Sequence, residues 1–235
     1  MENSWVCQLE NGKVSLPQVL IDIVYGCNLR CTHCTHFSPY RSGYVSVKDF
    51  VLWCKTWREK LQVEEVRILG GEPFLHPELR SILLECRKIW DTSRIVVHSN
   101  GTLINQSSLE LLEAIKEIGA HIIVSDHGVF TKCSDCNDMC RLLEQHKIDY
   151  VRNWADDYWW AQTQWDTGPL PFKSSPLEAW SNCWANKCVA IANNKLYKCG
   201  ILAGVQSAIR CGGISDLHTG NQHYPIPRYY LQTIL

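Results

Sequence analysis

Three cysteines near the start of the chain, Cys27, Cys31 and Cys34, have the spacing C-x3-C-x2-C. They directly follow residues 19–25, a β-branched stretch that is typical of a strand. Thiolates this close in sequence can converge on one metal centre. If that centre is a four-iron cluster, three thiolates leave one iron without a protein ligand, so this iron can bind a substrate or cofactor.

Zinc is the other metal that suits this cysteine triplet. A structural zinc site closes with four ligands, and His33 or His36 could supply the fourth. The chain has 13 cysteines in 235 residues, an odd number that cannot be paired entirely as disulfides within one chain. A chain of this length can fold on its hydrophobic core without disulfides. We therefore expect the cysteines to bind metal or do chemistry in a reducing compartment.

A second motif, Gly70-Gly71-Glu72-Pro73, follows residues 64–69, which are also typical of a strand. Adjacent glycines let the backbone approach a ligand closely, and the carboxylate of Glu72 matches an ammonium group. The motif is therefore a candidate ligand site at the end of the next strand along the chain.

Polar side chains follow or end three further predicted strands, at residues 94–98, 121–125 and 148–152. These side chains are Ser99, Asn100, Ser125, Asp126 and Arg152. Sites on parallel sheets collect at the C-terminal ends of the strands, so we expect these residues to bind a cofactor or substrate. Ordinary loop capping is the alternative for Ser, Asn and Asp.

The elements that must position these residues alternate between strands and helices. Helices are predicted at residues 46–61, 77–90, 107–119 and 136–146. Ser46 and Ser107 are the expected N-terminal caps of the first and third, and Gly119 ends the third. About five β-α steps imply a parallel sheet with right-handed crossovers. Eight repeats would need about 250 residues, so the predicted fold is a partial (β/α) barrel of about five to six repeats.

The predicted organisation has three parts. Residues 1–18 are an N-terminal extension, residues 19–176 form the α/β partial barrel, and residues 177–235 form a small cysteine-rich auxiliary domain. Within the last part, the sequence predicts a hairpin at residues 189–198 with a turn at Asn193-Asn194.

The two motifs together resemble the radical S-adenosylmethionine (SAM) superfamily, whose signature is C-x3-C-x-aromatic-C followed by GGEP. His33 stands at the aromatic position. The resemblance implies a [4Fe-4S] cluster on Cys27, Cys31 and Cys34, with SAM at the open iron and its methionine amino group held by the GGEP motif. SAM would be cleaved to a 5′-deoxyadenosyl radical that takes a hydrogen atom from the substrate. It also implies an electron donor such as flavodoxin or ferredoxin.

Four cysteines near the end of the chain form a second group. They are Cys183, Cys188, Cys199 and Cys211. The predicted hairpin would bring two of them together, and the pattern resembles the twitch or SPASM extensions of some radical SAM enzymes. That resemblance implies a second [4Fe-4S] cluster, and a tetrahedral zinc on the same thiolates is the alternative.

A third group, Cys133, Cys136 and Cys140, follows the fourth predicted strand. These cysteines are candidate hydrogen donors to a substrate radical, or a further metal site. Incidental thiols in a loop and a helix cap are the alternative.

The tryptophan-rich residues 154–165 follow the fifth predicted strand. Aromatic faces beside Asp156 and Asp157 would suit a polyhydroxy ligand, although core packing also explains aromatic residues. The opening CNLRCTHCTHFSP, residues 27–39, resembles a group of radical SAM proteins that accompany carbohydrate genes. The expected substrate is therefore a small polar molecule, a sugar or sugar conjugate.

Two outcomes stay open for such a substrate, oxidation (dehydrogenation) and epimerisation. The size and the single extra cluster resemble a radical SAM dehydrogenase that acts on an aminocyclitol. The alternatives are a peptide-modifying radical SAM enzyme that forms thioethers or epimerises residues, a glycyl-radical activating enzyme, and a zinc-binding structural or interaction protein. The 18 residues before the first predicted strand and the absence of a further cysteine cluster between the first two strands argue against the first two alternatives.

The charge and hydrophobicity of the sequence indicate which classes of partner are not expected. With 23 basic and 24 acidic side chains, the net charge is -1, which favours neither nucleic acid nor an anionic membrane as a partner. No apolar run approaches the ~18 residues of a membrane span, and residues 1–12 lack the pattern of a signal peptide. The sequence therefore predicts a cytoplasmic protein.

Overall fold

The computed structural model describes residues 9–10, 12–31, 34–126, 133–154, 188–201 and 203–204. Eight strands and four α-helices lie in this part of the chain. The strands are β1 (Leu9–Glu10), β2 (Lys13–Val24), β3 (Leu61–Gly70), β4 (Arg94–Ser99), β5 (His121–Asp126), β6 (Tyr150–Trp154), β7 (Val189–Ala192) and β8 (Lys195–Tyr197). The helices are α1 (Val47–Arg58), α2 (Leu79–Ile89), α3 (Leu109–Glu117) and α4 (Cys133–Gln145).

All eight strands belong to one sheet. Its order is β6-β5-β4-β3-β2-β7-β8, and β1 pairs with β2. The five strands from β2 to β6 are parallel to their neighbours, and a helix lies between each successive pair along the chain. This arrangement confirms the predicted partial (β/α) barrel.

The two faces of the sheet differ in chemistry because side chains alternate along each strand. One face packs on the helices and carries fully buried aliphatic side chains. These include Val19, Ile21, Val66, Ile68, Ile95, Val97, Ile122 and Val124, in one cluster with Phe50 of α1, Ile82 of α2, Ile115 of α3 and Met139 of α4. We call the opposite side the interior face. It carries Leu20, Asp22, Arg67, His98, Ile123 and Ser125.

Local capping explains where the helices begin and end. Ser46 caps α1 by accepting a hydrogen bond from the Asp49 amide at 3.1 Å, as predicted. The cap of α3 is Ser108, which accepts from the Leu111 amide, so the prediction of Ser107 was wrong by one residue. Both serines precede an amphipathic stretch, and the side-chain geometry that selects one of them is invisible in the pattern. Gly119 follows α3 in the left-handed conformation, with φ of 63°.

The β7–β8 hairpin turns at Asn193 and Asn194, whose φ angles are 50° and 57°. Two successive left-handed residues make the turn that best matches the twist of a two-residue hairpin. The hairpin confirms the predicted turn and adds to the sheet of the barrel, because β7 runs parallel to β2 with Val19 opposite Val189. The domain boundaries at residues 18 and 176 stay a prediction. In the described ranges, no helix is both long and apolar enough to cross a membrane.

Candidate functional site

The cysteine triplet and the GGEP motif meet at the C-terminal edge of the parallel strands. The loop that carries Cys27 follows β2, and the motif follows β3 next to it. Two backbone hydrogen bonds join them: the Gly71 amide donates to the Val24 carbonyl at 2.8 Å, and the Glu72 amide donates to the Gly26 carbonyl at 3.0 Å. The register of two neighbouring strands therefore fixes the position of Glu72 beside the triplet.

The glycine pair is required by this junction. A Cβ on Gly71 would lie 1.8 Å from the Gly26 carbonyl oxygen, and one on Gly70 would lie 2.1 Å from the Val24 carbonyl oxygen. Gly70 also has φ of 135°, which L side chains rarely adopt. The close approach that the sequence indicated is thus made, in the structure, to the backbone of the neighbouring loop.

The three thiols of the triplet are free and half-buried. Burial raises the pKa of Cys27 and of Cys31, and the neighbouring thiols raise both further. Metal binding would therefore release protons from these thiols. Across the described residues, no three His, Cys, Asp or Glu side chains already have the arrangement of a metal site. The donor set still fits a cluster with one open iron, since it offers three thiols in one loop.

Glu72 is the most unusual group at this edge because its side chain is 0% exposed. Its carboxylate accepts hydrogen bonds from the Ser99 hydroxyl at 2.8 Å, the Asn100 amide at 2.7 Å and the Phe74 amide at 3.1 Å. Burial raises the pKa of Glu72 to about 7, although these three hydrogen bonds oppose the rise. Within the described residues no Lys, Arg or His pairs with this carboxylate. The site fits a cationic ligand group such as the ammonium of an amino acid.

The predicted site residues Ser99 and Asn100 are therefore brought to Glu72. Asn100 also donates from Nδ2 to Asn28 Oδ1 at 2.9 Å and to Cys27 Sγ at 3.6 Å. Thr102 completes a small network, because its hydroxyl accepts from Asn28 Nδ2 at 2.7 Å. Asn28 and Thr102 were not predicted from the sequence. Asn28 could have been found from the sequence, because it lies inside the triplet loop next to Cys27.

Asp126 and Arg152 lie elsewhere. The Arg152 guanidinium donates to Asp126 Oδ2 from both Nε, at 3.0 Å, and Nη2. Asp126 is 1% exposed and follows Ile122 and Val124 on the helix-packed side of β5. Their pairing is thus an ion pair against α4. Ser125 precedes Asp126 in β5, so its side chain points to the opposite side of the sheet, the interior face.

Two cysteines of the third group lie on this same helix-packed side. Cys136 is buried in the hydrophobic core between α4 and the sheet, and burial raises its pKa. Cys140 packs at the edge of that core and contacts the Tyr150 hydroxyl, which raises the pKa of Tyr150. No described contact connects either thiol with the interior face. The side chain of Cys133 lies outside the described residues, and a hydrogen-donor role for the group stays a prediction.

The C-terminal cysteines that the structure describes lie away from the triplet edge of the sheet. Cys188 precedes β7 and its Sγ accepts from Gln18 Nε2 at 3.2 Å. Extending the β7–β8 register by two residues brings Cys199 opposite Cys188, as the sequence predicted. Gln18 lies six residues before Val24 in β2, so this pair is about 20 Å from the triplet edge along the strand. Cys183, Cys211, His33 and residues 155–165 lie outside the described residues.

One further polar cluster was not predicted. Asp22 of β2 pairs with His36 at 3.2 Å and with Arg41 at 3.3 Å. Burial raises the pKa of Asp22, but His36 and Arg41 outweigh it and hold that pKa below its usual value. Arg41 also stacks on the Tyr25 ring at 4.2 Å. The cluster ties the segment after the triplet to the interior face of β2.

Comparison with known proteins supports the reading of these motifs. The model of the Radical SAM superfamily matches residues 21–141, which include the triplet and Glu72. Among curated proteins, the antilisterial bacteriocin subtilosin biosynthesis protein AlbA of Bacillus subtilis (strain 168) is 27% identical over 212 residues, covering 67% of this chain and 46% of that protein. GTP 3',8-cyclase of Aquifex aeolicus (strain VF5) is 34% identical over 126 residues, covering 50% of this chain and 38% of that protein.

The chain thus spans less than half the length of these curated relatives. Among solved structures, BtrN in complex with AdoMet and 2-DOIA is similar in fold, with a TM-score of 0.55 at 14% sequence identity. That likeness covers 86% of this chain and 83% of BtrN.

Proposed function

The chain belongs to the radical SAM superfamily, and from that premise we propose that it is an enzyme with SAM bound at a [4Fe-4S] cluster on Cys27, Cys31 and Cys34. When bound, this pair would supply a 5′-deoxyadenosyl radical, generated with one electron from an external donor, that takes a hydrogen atom from the substrate. The protein's own residues orient SAM and hold the substrate. Membership in the superfamily implies both cofactors.

The observation that carries this proposal is the buried carboxylate of Glu72 beside the triplet. A carboxylate with three hydrogen-bond donors and no described cationic partner favours a ligand that brings its own cation. The methionine amino group of SAM has that chemistry. Gly70, Gly71 and Pro73 act indirectly, since they shape the backbone that presents Glu72. Ser99 and Asn100 hold its carboxylate, and His33 is assigned to the cofactor by its motif position alone.

We infer that the substrate is a small polar molecule, a sugar or sugar conjugate. The support is the interior face, where Asp22, Arg67, His98 and Ser125 come from four different strands. Polar groups that converge from several strands suit a ligand with several hydroxyl groups. Ser125 is retained as a substrate contact, whereas the ion pair of Asp126 with Arg152 stabilises the packing of α4.

Dehydrogenation is the outcome that we favour over epimerisation. Loss of a hydrogen atom from a carbinol carbon leaves a carbon radical, which becomes a ketone when it releases one electron and the hydroxyl proton. Epimerisation instead needs a hydrogen donor near the substrate. Cys136 and Cys140 pack on the helix-packed side of the sheet. Their thiols are therefore separated by the sheet from a substrate on the interior face.

We assign the electron acceptor to a second [4Fe-4S] cluster on Cys183, Cys188, Cys199 and Cys211, in a twitch-like auxiliary domain. Cys188 and Cys199 flank the β7–β8 hairpin, and Cys188 lies beside Gln18, six residues before the end of β2 at the triplet edge. A substrate on the interior face near that edge would then lie between the SAM cluster and these thiols. Zinc on the same thiolates is the competing occupant, and the two differ in visible absorption.

Product analysis in deuterated water tests the outcome. A ketone without solvent deuterium at the reacting carbon supports dehydrogenation. Solvent deuterium at an inverted carbon contradicts it and supports epimerisation. Reduced flavodoxin or ferredoxin should replace dithionite as the electron donor in this assay. We place the enzyme in the cytoplasm, because its free thiols and oxygen-labile clusters need a reducing compartment.

Peptide modification is the second candidate, favoured by the likeness to AlbA over 67% of this chain. The two candidates differ in what stimulates SAM cleavage. A sugar substrate should raise 5′-deoxyadenosine formation and become oxidised itself, while short peptides encoded beside this gene should have no effect. Stimulation by such a peptide, with a mass change in the peptide, would favour the second candidate.

A further inference from the structure

Two side chains on the interior face have hydrogen-bonding groups without partners in the described part of the chain. His98 Nε2 is buried and makes no hydrogen bond there. Arg67 donates from Nε to Glu65, and its two Nη groups donate to no described acceptor. His98 and Arg67 lie on neighbouring strands, β4 and β3, close enough to interact electrostatically.

The ion pairs that Arg67 makes leave a net positive charge. Glu65 is the carboxylate at this position, and it is shared by Arg67 and, at 3.5 Å, by Arg94. One carboxylate between two guanidinium groups leaves a net charge of +1. His36 and His121 also lie near His98, and each pairs with a carboxylate, Asp22 and Asp149 respectively. Burial, with the charge of Arg67, lowers the pKa of His98 to about 3, so its imidazole is neutral at physiological pH.

We propose that Arg67 and His98 form a binding site for an anionic group of the substrate, a phosphate or a carboxylate, on the interior face of the partial barrel. The guanidinium fork can donate two parallel hydrogen bonds to such a group, and the neutral imidazole can donate one more. This inference rests on the proposed function and deepens it, because it names the chemical class of the substrate.

The position of the site suits a sugar phosphate or a sugar acid. Arg67 precedes Gly70 by three residues in β3, which is about 10 Å along the strand. An anion held at Arg67 would therefore leave room for one sugar ring between it and the edge where Cys27 and Glu72 lie. A neutral sugar offers the Nη groups of Arg67 hydroxyl oxygens as acceptors, but no negative charge for the guanidinium group.

Equilibrium binding to the cluster-loaded protein with SAM tests the site. The probes are inorganic phosphate, glucose 1-phosphate, glucuronate and neutral glucose at matched ionic strength. We expect the anions to bind and glucose to bind at least tenfold more weakly. Arg67→Gln should weaken anion binding about tenfold or more, and His98→Phe should weaken it less. Comparison of glucose 1-phosphate with glucuronate distinguishes the two anions.

Arg80→Gln, an exposed arginine on α2 across the helix-packed side, is the matched control and should bind anions like the wild type. Arg67→Lys keeps the charge and removes the fork, so it provides a folded variant if Arg67→Gln does not fold. Anion binding that is absent, or unchanged in both Arg67 variants, overturns this inference. The proposed function fails separately, if the wild type forms no 5′-deoxyadenosine under dithionite.

Discussion

At the scale of single residues, the site depends on one carboxylate that the fold has removed from water. Three donors hold Glu72 in a fixed orientation, yet burial still raises its pKa to about 7. The cost of ionising it in the free protein is recovered when a cationic group binds beside it. The GGEP motif indicated the residue and its charge, but only the structure shows the donors from β4, because they come from a strand 27 residues later.

Glu72 should make SAM binding depend on pH. Binding needs the ionised carboxylate, and below its pKa of about 7 a proton must first be removed, so affinity should fall as the pH is lowered. We expect SAM to bind the cluster-loaded protein several-fold more tightly at pH 8 than at pH 6 when measured by calorimetry. Glu72→Gln should bind SAM at least tenfold more weakly and with a smaller pH dependence. A variant with wild-type affinity and slope would contradict the assigned role.

At the scale of elements, most of the barrel was predictable because its signals are local. Apolar periodicity indicated α1 to α3, and β-branched runs indicated β3 to β5. The start of β2 at Lys13 was missed: residues 13–16 alternate polar and apolar side chains like a strand, but Pro17 interrupts the pattern before the apolar run. Pairing of β7 with β2 was not predictable either. It joins residues about 170 positions apart, and no local pattern records that register.

The junction of β2 and β3 should be intolerant of side chains at the glycine pair. Gly71→Ala would place a Cβ 1.8 Å from the Gly26 carbonyl oxygen, so the backbone must separate. We expect the free energy of unfolding of the metal-free protein to fall by about 3 kcal/mol or more in denaturant titrations. Gly26→Ala is the matched control, because no atom lies within 4 Å of its added Cβ. A loss of similar size in both variants would refute this explanation.

At the scale of the whole molecule, the sheet separates two groups of cysteines. The triplet lies at the C-terminal edge of the parallel strands, and Cys188 lies beside Gln18, about halfway along β2. The sequence predicted both groups and a hairpin that would bring Cys188 near Cys199. It could not place the two groups at different positions along β2, because that depends on the direction in which β7 joins the sheet.

This separation predicts that the two clusters assemble independently. Cys188→Ala and Cys199→Ala should lower the iron content of the reconstituted protein from about eight to about four atoms per chain. Both variants should still cleave SAM, but they should form no oxidised product. Cys54→Ala, which removes a buried core thiol on α1, is the control and should keep its full iron content. Unchanged iron in the first two variants would rule out the auxiliary cluster.

The most direct test of the account is SAM cleavage by the anaerobically reconstituted protein under dithionite, followed by chromatographic detection of 5′-deoxyadenosine. We expect the wild type to show the visible absorption of an iron–sulfur cluster and to form 5′-deoxyadenosine. Alanine at Cys27, Cys31 or Cys34 should abolish this product, because each removes one ligand of the proposed cluster. A wild type that binds zinc instead of iron, or one that leaves SAM intact, would contradict the account.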